Sequence, residues 1–199
     1  MAHTVITVGR EYGSGGRLIA QKAAEALGIP FFDRSIINMA AEETGLSADF
    51  IRRTEQQKTS SFLYNLYMST QSLPVNDQVF IAQSEVIRRV AAEGPCIIVG
   101  RCADHVLESR GLNCLSLFIC APFQWRVRHR MAIEHIDEKA AAAAVEKFDK
   151  QREKYYSHYT GRPWGLPENY DLCVNSARLG IDRTAALLAQ HCRELFQTL

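Results

Sequence analysis

The 199-residue chain carries 23 Lys and Arg against 22 Asp and Glu, a formal charge of +1, with a pI near 7.7. That balance argues against a nucleic-acid partner, because a module that binds polyanions shows a basic excess in its totals; no apolar run is long enough to span a bilayer either. The length suits a single well-cored domain with a sub-segment attached and is too short for two full α/β domains.

Residues 4–27 read TVITVGREYGSGGRLIAQKAAEAL: a short apolar strand, a glycine-rich turn and an amphipathic helix. Val5, Ile6 and Val8 are β-branched, as a buried strand prefers. Gly13, Gly15 and Gly16 permit backbone angles that a Cβ resists. The helix presents Ile19, Ala23, Ala26 and Leu27 at helical spacing, so its unpaired N-terminal N–H groups and positive dipole end face the turn. A polyphosphate fits such a cradle; the alternative is a glycine turn that serves only close helix–strand packing. Set against G-x-x-x-x-G-K-[ST], with Gly15 as the glycine before the lysine, the lysine position is Gly16, the hydroxyl position is Arg17 and the first glycine position is Arg10, with Gly9 one residue too early. Arg10 and Arg17 are then the available cations, and arginine grips phosphate in a bidentate fork. The phosphate-binding set expected from this segment is Gly9, Arg10, Gly13, Ser14, Gly15, Gly16, Arg17 and Leu18.

Strand-like and helical patterns alternate from there on, the signature of a parallel sheet covered by helices. Ile29–Asp33 reads as a short second strand ending in a carboxylate. Ser35–Glu43 and Ser47–Gln57 read as short helices, the second capped by Ser47. Residues 58–75 have no clean period and read as an excursion, although Phe62, Leu63, Leu66, Tyr67 and Met68 fall at helical spacing and suit either a dimer face or burial within the chain. Asn76–Glu93 is a helix stopped by Gly94-Pro95. Cys96–Gly100 and Leu115–Cys120 are buried strands, Tyr170–Asn175 is the last strand, and Asp182–Leu199 is the closing helix. The six cysteines lack C-x-x-C spacing and read as reduced packing residues, and His105, His129 and His135 have no metal-ligand spacing, so no metal site is expected. The chain enters a strand at once, without a charged leader and apolar signal core, and a cytoplasmic protein is expected.

The order of these parts resembles the cytidylate kinase-like family of P-loop nucleoside monophosphate kinases. The residues that carry the resemblance are the GSGG turn, AEALGIPFFD, the strand ending in Gly100-Arg101, LFICAP and the arginine-rich FQWRVRHRM. Where ordinary cytidylate kinases have a lysine and a hydroxyl, this chain has Gly16 and Arg17 or Leu18, so it resembles a divergent branch. The resemblance implies one P-loop α/β domain over 1–199. It would have about five parallel strands, helices on both faces, an acceptor-binding excursion near 34–75 and a mobile helical lid near 132–165.

The resemblance also implies roles. Phosphoryl transfer needs in-line positioning and neutralised charge more than covalent help. Arg101, one residue past a sheet strand at the ligand edge, resembles the arginine that faces the acceptor. Arg126 and Arg130, four apart on one helix face, together with Arg152 and Arg17, are the expected catalytic cations, while Lys147 and Lys150 read as a solvated face. Asp33 either orients Arg34 or Arg101, holds a water on Mg²⁺ or caps the helix at Ser35; Asp104 either pairs with Arg101 or contacts acceptor. Tyr155, Tyr156, His158 and Tyr159 either stack on a base or pack the lid onto the body. The expected reaction is transfer from ATP, with Mg²⁺ held mainly through phosphates and water, to a small acceptor such as CMP, by a monomer or homodimer. The alternatives are a regulatory protein that binds nucleotide without turnover and a kinase for another small metabolite.

Overall fold

The computed structural model describes residues 5–44, 74–112 and 114–198. Five parallel strands, β1 (Val5–Arg10), β2 (Phe31–Phe32), β3 (Ile97–Val99), β4 (Cys114–Cys120) and β5 (Leu172–Asn175), form one sheet in the order β2-β3-β1-β4-β5. The described helices are α1 (Gly16–Leu27), α2 (Ser35–Thr44), α3 (Val75–Glu93), α4 (Ala103–Glu108), α5 (Phe123–Glu134), α6 (Glu138–Thr160) and α7 (Ser176–Thr198), with a 3-10 turn at Pro167–Asn169.

The period of two in β1 divides the core. Ile6 and Val8 face one side with Ile19, Ala23 and Leu188, so α1 and α7 cover that face. Val5 faces the other side with Ile36, Ile87 and Val106, so α2, α3 and α4 cover it. Both faces are therefore dry, which is why the strands read as apolar runs rather than as alternating ones. Among the described residues no helix is long and apolar enough to cross a membrane.

Element ends differ from the sequence reading for local reasons. The strand expected at Ile29 begins only at Phe31, because Pro30 has no N–H to give the ladder, and its carbonyl takes the Ile97 N–H at 2.9 Å instead. The last strand begins at Leu172 rather than Tyr170, since the Asp171 carboxylate captures the N–H and hydroxyl of Ser116, both at 2.7 Å. The closing helix lies close to the expected Asp182: within Ser176–Thr198 the backbone at Gly180, φ 75 and ψ 172, is not helical, so a short helical turn opened by Ser176 precedes the long final helix. The expected helix Ser47–Gln57, the apolar stretch Phe62–Met68 and nearly all of 58–75 lie outside the described residues.

Candidate functional site

The glycine turn between β1 and α1 is built from its own polar groups. Ser14 is fully buried; its hydroxyl donates to the Glu11 carbonyl at 2.9 Å and accepts the Gly16 N–H at 3.3 Å. Gly13 and Gly15 adopt φ 84 and 77, left-handed values that strain residues bearing a Cβ. The Ser176 hydroxyl holds the Ser14 carbonyl at 2.6 Å, and His129 Nδ1 meets the Gly13 carbonyl at 2.7 Å, which makes that ring nitrogen the donor. The turn's carbonyls are thus drawn outward. The N–H groups of Gly13 and Gly15 donate to no acceptor among the described residues, and they join the first-turn N–H groups of α1 as a donor set suited to an anion.

Gly16 opens α1 and is buried. A Cβ there would stand 2.6 Å from Arg10 Cβ and 3.0 Å from Ile119 Cβ, so the place is shaped for glycine.

Three charged side chains fasten the turn to α5 and α6. Arg126, 7% exposed, donates through Nε to the Ala121 carbonyl at 2.9 Å and through Nη1 to the Tyr12 carbonyl at 3.1 Å, and is ion-paired with Asp149. Glu11 takes the Ala121 N–H at 2.8 Å and lies 3.3 Å from Arg126 Nε. Asp149 takes the Tyr12 N–H at 2.7 Å. Both backbone groups of Tyr12 are therefore held by partners that are themselves paired, as buried charges require. Burial raises the Glu11 carboxyl, against the lowering pull of the Ala121 N–H and Arg126.

Around the Tyr12 ring the cations gather. Arg130 lies over it at 4.6 Å and Arg152 at 5.5 Å, while Phe148 stacks on it at 4.4 Å. Arg130 is ion-paired with Glu134, which also accepts the Tyr12 hydroxyl at 3.0 Å. Arg152 Nη1 donates to the Arg10 carbonyl at 2.9 Å, and burial pulls its pKa down to about 10, leaving it protonated at neutral pH.

A cavity of about 210 Å³ opens at the C-terminal ends of β1 and β3, lined by Arg10, Arg101, Arg152, Asp104, Tyr156 and Tyr170 among others. The turn Gly100-Arg101-Cys102 that follows β3 has φ 78, 55 and 53 throughout. Two successive left-handed residues that are not glycine cost about 1–2 kcal/mol each, strain that clusters where a fold must aim a side chain. Glycine at 100 admits the Arg10 side chain, since a Cβ would fall 2.3 Å from Arg10 Nη1. Asp104 accepts the Tyr156 hydroxyl at 2.8 Å; burial raises its carboxyl and the hydrogen bond opposes that.

The expected site residues thus fall into three places. Arg10, Arg101, Asp104 and Arg152 come together on the cavity, with Gly9 in its wall. Arg130 sits on the turn's aromatic residue, whereas Arg126 is occupied in holding the turn. Arg17 and Asp33 pair with each other at 2.6 Å, Asp33 buried and Arg17 half exposed, so Asp33 orients an arginine of the glycine turn's own helix; Leu18 is exposed. Lys147 and Lys150 are exposed as well. The residues that sequence reading passed over are Glu11, Tyr12 and Asp149, and His129 was read without its partner; Tyr12 and Asp149 meet across 137 residues and His129 and Gly13 across 116.

The lid-like segment is largely α6, capped by the Asp137 carboxylate on the Ala140 N–H at 2.7 Å. Its C-terminal half packs on α3, with Tyr159 stacked on Phe80 at 3.9 Å and Tyr155 bonded to the buried Gln83 at 3.2 Å. Of the two readings of this aromatic cluster, the structure displays packing at Tyr155 and Tyr159. Among the described residues no group of three or more His, Cys, Asp or Glu gathers to hold a metal, and the cysteines are free; Cys96, for one, is buried and its thiol pushed up to about 12 by that burial.

The sequence profile of the cytidylate kinase-like family matches residues 5–178. No curated protein matches the sequence. Among solved structures, an uncharacterized protein from Eubacterium ventriosum is 26% identical and superposes with a TM-score of 0.72, over 96% of this chain and 98% of its own. Shikimate kinase from Bacteroides thetaiotaomicron (12% identity, TM-score 0.55, 96% and 99% covered) and a gluconokinase from Sinorhizobium meliloti (16%, 0.51, 99% and 98%) share the P-loop kinase fold. At such identities the likeness is one of fold alone.

Proposed function

The chain belongs to the cytidylate kinase-like family, and from that premise we propose that it transfers a phosphoryl group from ATP to a small anionic acceptor, a nucleoside monophosphate such as CMP. The observation that carries this reading is the convergence of Arg10, Arg101 and Arg152 on one cavity beside the glycine turn. Two anions brought together in line need this kind of cationic surround.

The turn fits a triphosphate: its carbonyls are tied back by Ser176 and His129, and its glycine N–H groups are left for oxygen ligands. Bound there, ATP supplies the phosphoryl group and Mg²⁺, held through phosphates and water, neutralises part of its charge. The chain does the rest by position. Glu11, Arg126 and Asp149 fix the turn. Arg152 places a permanent positive charge between turn and cavity, and Arg130 adds a second over Tyr12. Arg101 holds the acceptor's anionic group. Phe148, Tyr155 and Trp164 wall the cavity against water, and α6 serves as lid.

Two other readings each rest on an observation. The glycine-shaped place at Gly16 favours binding without turnover, and the modest cavity favours a metabolite smaller than a nucleotide. A coupled ADP-release assay with Mg-ATP against nucleoside monophosphates, phosphosugars and hydroxy acids separates all three. Turnover with a nucleoside monophosphate is the expected result. Tight ATP binding without turnover on any acceptor would install the binding-protein reading.

A further inference from the structure

We infer that Arg10 carries the phosphate-binding charge that a P-loop ordinarily draws from its lysine, and that the arginine at 10 and the glycine at 16 are a single exchange. This rests on the kinase reading of the cavity and deepens it by assigning the cation on its nucleotide side.

In G-x-x-x-x-G-K the first and seventh positions fall on Arg10 and Gly16. The two residues touch. A Cβ at Gly16 would stand 2.6 Å from Arg10 Cβ and 3.2 Å from Arg10 Cγ, so the root of the arginine fills the space through which a side chain at 16 would leave. Its far end is received by another glycine. A Cβ at Gly100 would have Arg10 Nη1 at 2.3 Å, Cζ at 3.3 Å and Nη2 at 3.5 Å as its three nearest atoms, so that position is shaped for the guanidinium itself. The next residues, Arg101 and Cys102, hold left-handed φ without being glycine, and the turn's conformation alone does not account for glycine at 100. Two glycines far apart in sequence thus clear one course for one side chain, from the head of α1 to the end of β3.

That course ends on the cavity, where Arg101 and Arg152 also stand. Arg152 reaches the Arg10 main chain as well, donating to its carbonyl at 2.9 Å. Like charges gathered on one cavity favour an anion among them. Arg17, the other cation of the turn, is directed elsewhere: it pairs with Asp33 at 2.6 Å, lies over Phe31 at 5.8 Å and lines no part of this cavity. Gly16 therefore marks a relocated charge, not a lost one. A lysine brings a point charge and an arginine a two-pronged fork, so the exchange changes the geometry of the grip and keeps its sign.

Calorimetric titration of the full chain with Mg-ATP, beside melting curves, tests this. Arg10→Met keeps the stem and drops the charge; it should bind Mg-ATP at least about tenfold more weakly while melting close to the unmutated protein, and Arg10→Lys should recover most of the loss. Gly16→Lys alone should bind weakly and melt lower, because two side chains claim one space. Arg10→Gly combined with Gly16→Lys, which writes the ordinary motif into this chain, should return Mg-ATP affinity to within about threefold. Arg10→Gly combined with Gly16→Met, of similar length without the charge, should recover melting temperature but not affinity. If Arg10→Met proves unstable, the comparison of these two double variants decides. Unchanged affinity in Arg10→Met, equal affinity in the two double variants, or no binding of Mg-ATP by the unmutated protein overturns the inference. Weakened binding in Arg10→Met, with no turnover by the unmutated protein on any acceptor, would sink the kinase reading and leave Arg10 in its role; turnover and affinity both unchanged in Arg10→Met would do the reverse.

Discussion

Asp149 Oδ1 accepts the Tyr12 N–H at 2.7 Å, so the first turn of the glycine loop and the middle of α6 share a hydrogen bond across 137 residues of sequence. The other oxygen of Asp149 pairs with Arg126, which in turn holds the Tyr12 carbonyl. Loop geometry in this protein therefore depends on one buried guanidinium.

Removing that guanidinium strands two acidic groups, Glu11 and Asp149. Arg126→Met should lower stability by about 3–5 kcal/mol, the usual consequence of leaving buried charge uncompensated. Urea unfolding checks it, with Arg128→Met, an exposed neighbour on the same helix, changing stability by less than about 0.5 kcal/mol.

Putting a lysine at the place a P-loop usually has one should do harm. Gly16→Lys brings its Cβ to 2.6 Å from Arg10 Cβ, an atom close to the backbone that cannot swing away. Overpacking of that kind costs about 1–3 kcal/mol. A fall in melting temperature without any gain in kcat is the expected result; a gain in kcat would mean that the cation of this site was missing rather than supplied from elsewhere.

The arginines of the site should separate kinetically. Arg101 follows β3 on the wall of the cavity proposed to take the acceptor, so Arg101→Ala should raise the acceptor KM more than the ATP KM. Arg152 bridges turn and cavity and Arg130 covers the turn, so Arg152→Ala or Arg130→Ala should chiefly lower kcat, by about ten- to a hundredfold. Arg17 is tied to Asp33; if it also serves the phosphates, Arg17→Ala should lower kcat by a similar factor. Steady-state kinetics with ATP and acceptor varied in turn decides each case.

The raised carboxyls of Glu11 and Asp104 give a signed pH dependence. Burial lifts Asp104 above its ordinary 3.8 and Glu11 above 4.5. On raising the pH, the unfolded chain ionises first, so whatever stability these carboxyls contribute is complete below those ordinary values and is lost as pH rises through the folded ones. Asp104→Asn should therefore gain stability relative to the unmutated protein as pH climbs from about 4 toward 7, read by urea unfolding at fixed ionic strength.

Much of the fold was legible because its signals are local. The β-branched runs of β1 and β3, the glycines at positive φ in the turn and the Gly28 end of α1 each announce themselves within a few residues. Part of the cavity lining was legible: Arg101 from its place directly after a strand, and Arg152 from the resemblance to the family's lid. It was not legible where pairing decides. Nothing near Asp149 in EKFDKQREK marks it as the one acidic residue of that run turned inward, and Arg126 reads as a catalytic cation until Glu11 and Asp149 are seen around it. Likewise His129 shows no metal spacing, and its actual partner is a backbone carbonyl 116 residues away.

The unbroken course of α6 has a mechanical consequence. Asp149 and Arg152 grip the glycine turn, while Tyr155 and Tyr159 grip α3 through Gln83 and Phe80. About 15 Å of helix axis separates Asp149 from Tyr159, and a helix with no internal break transmits displacement along that length instead of absorbing it. The aromatic stack on Phe80 is thus a fulcrum: lifting the helix from the glycine turn must either pivot on those rings or slide them, and crowding at Phe80 would be felt at Gly13.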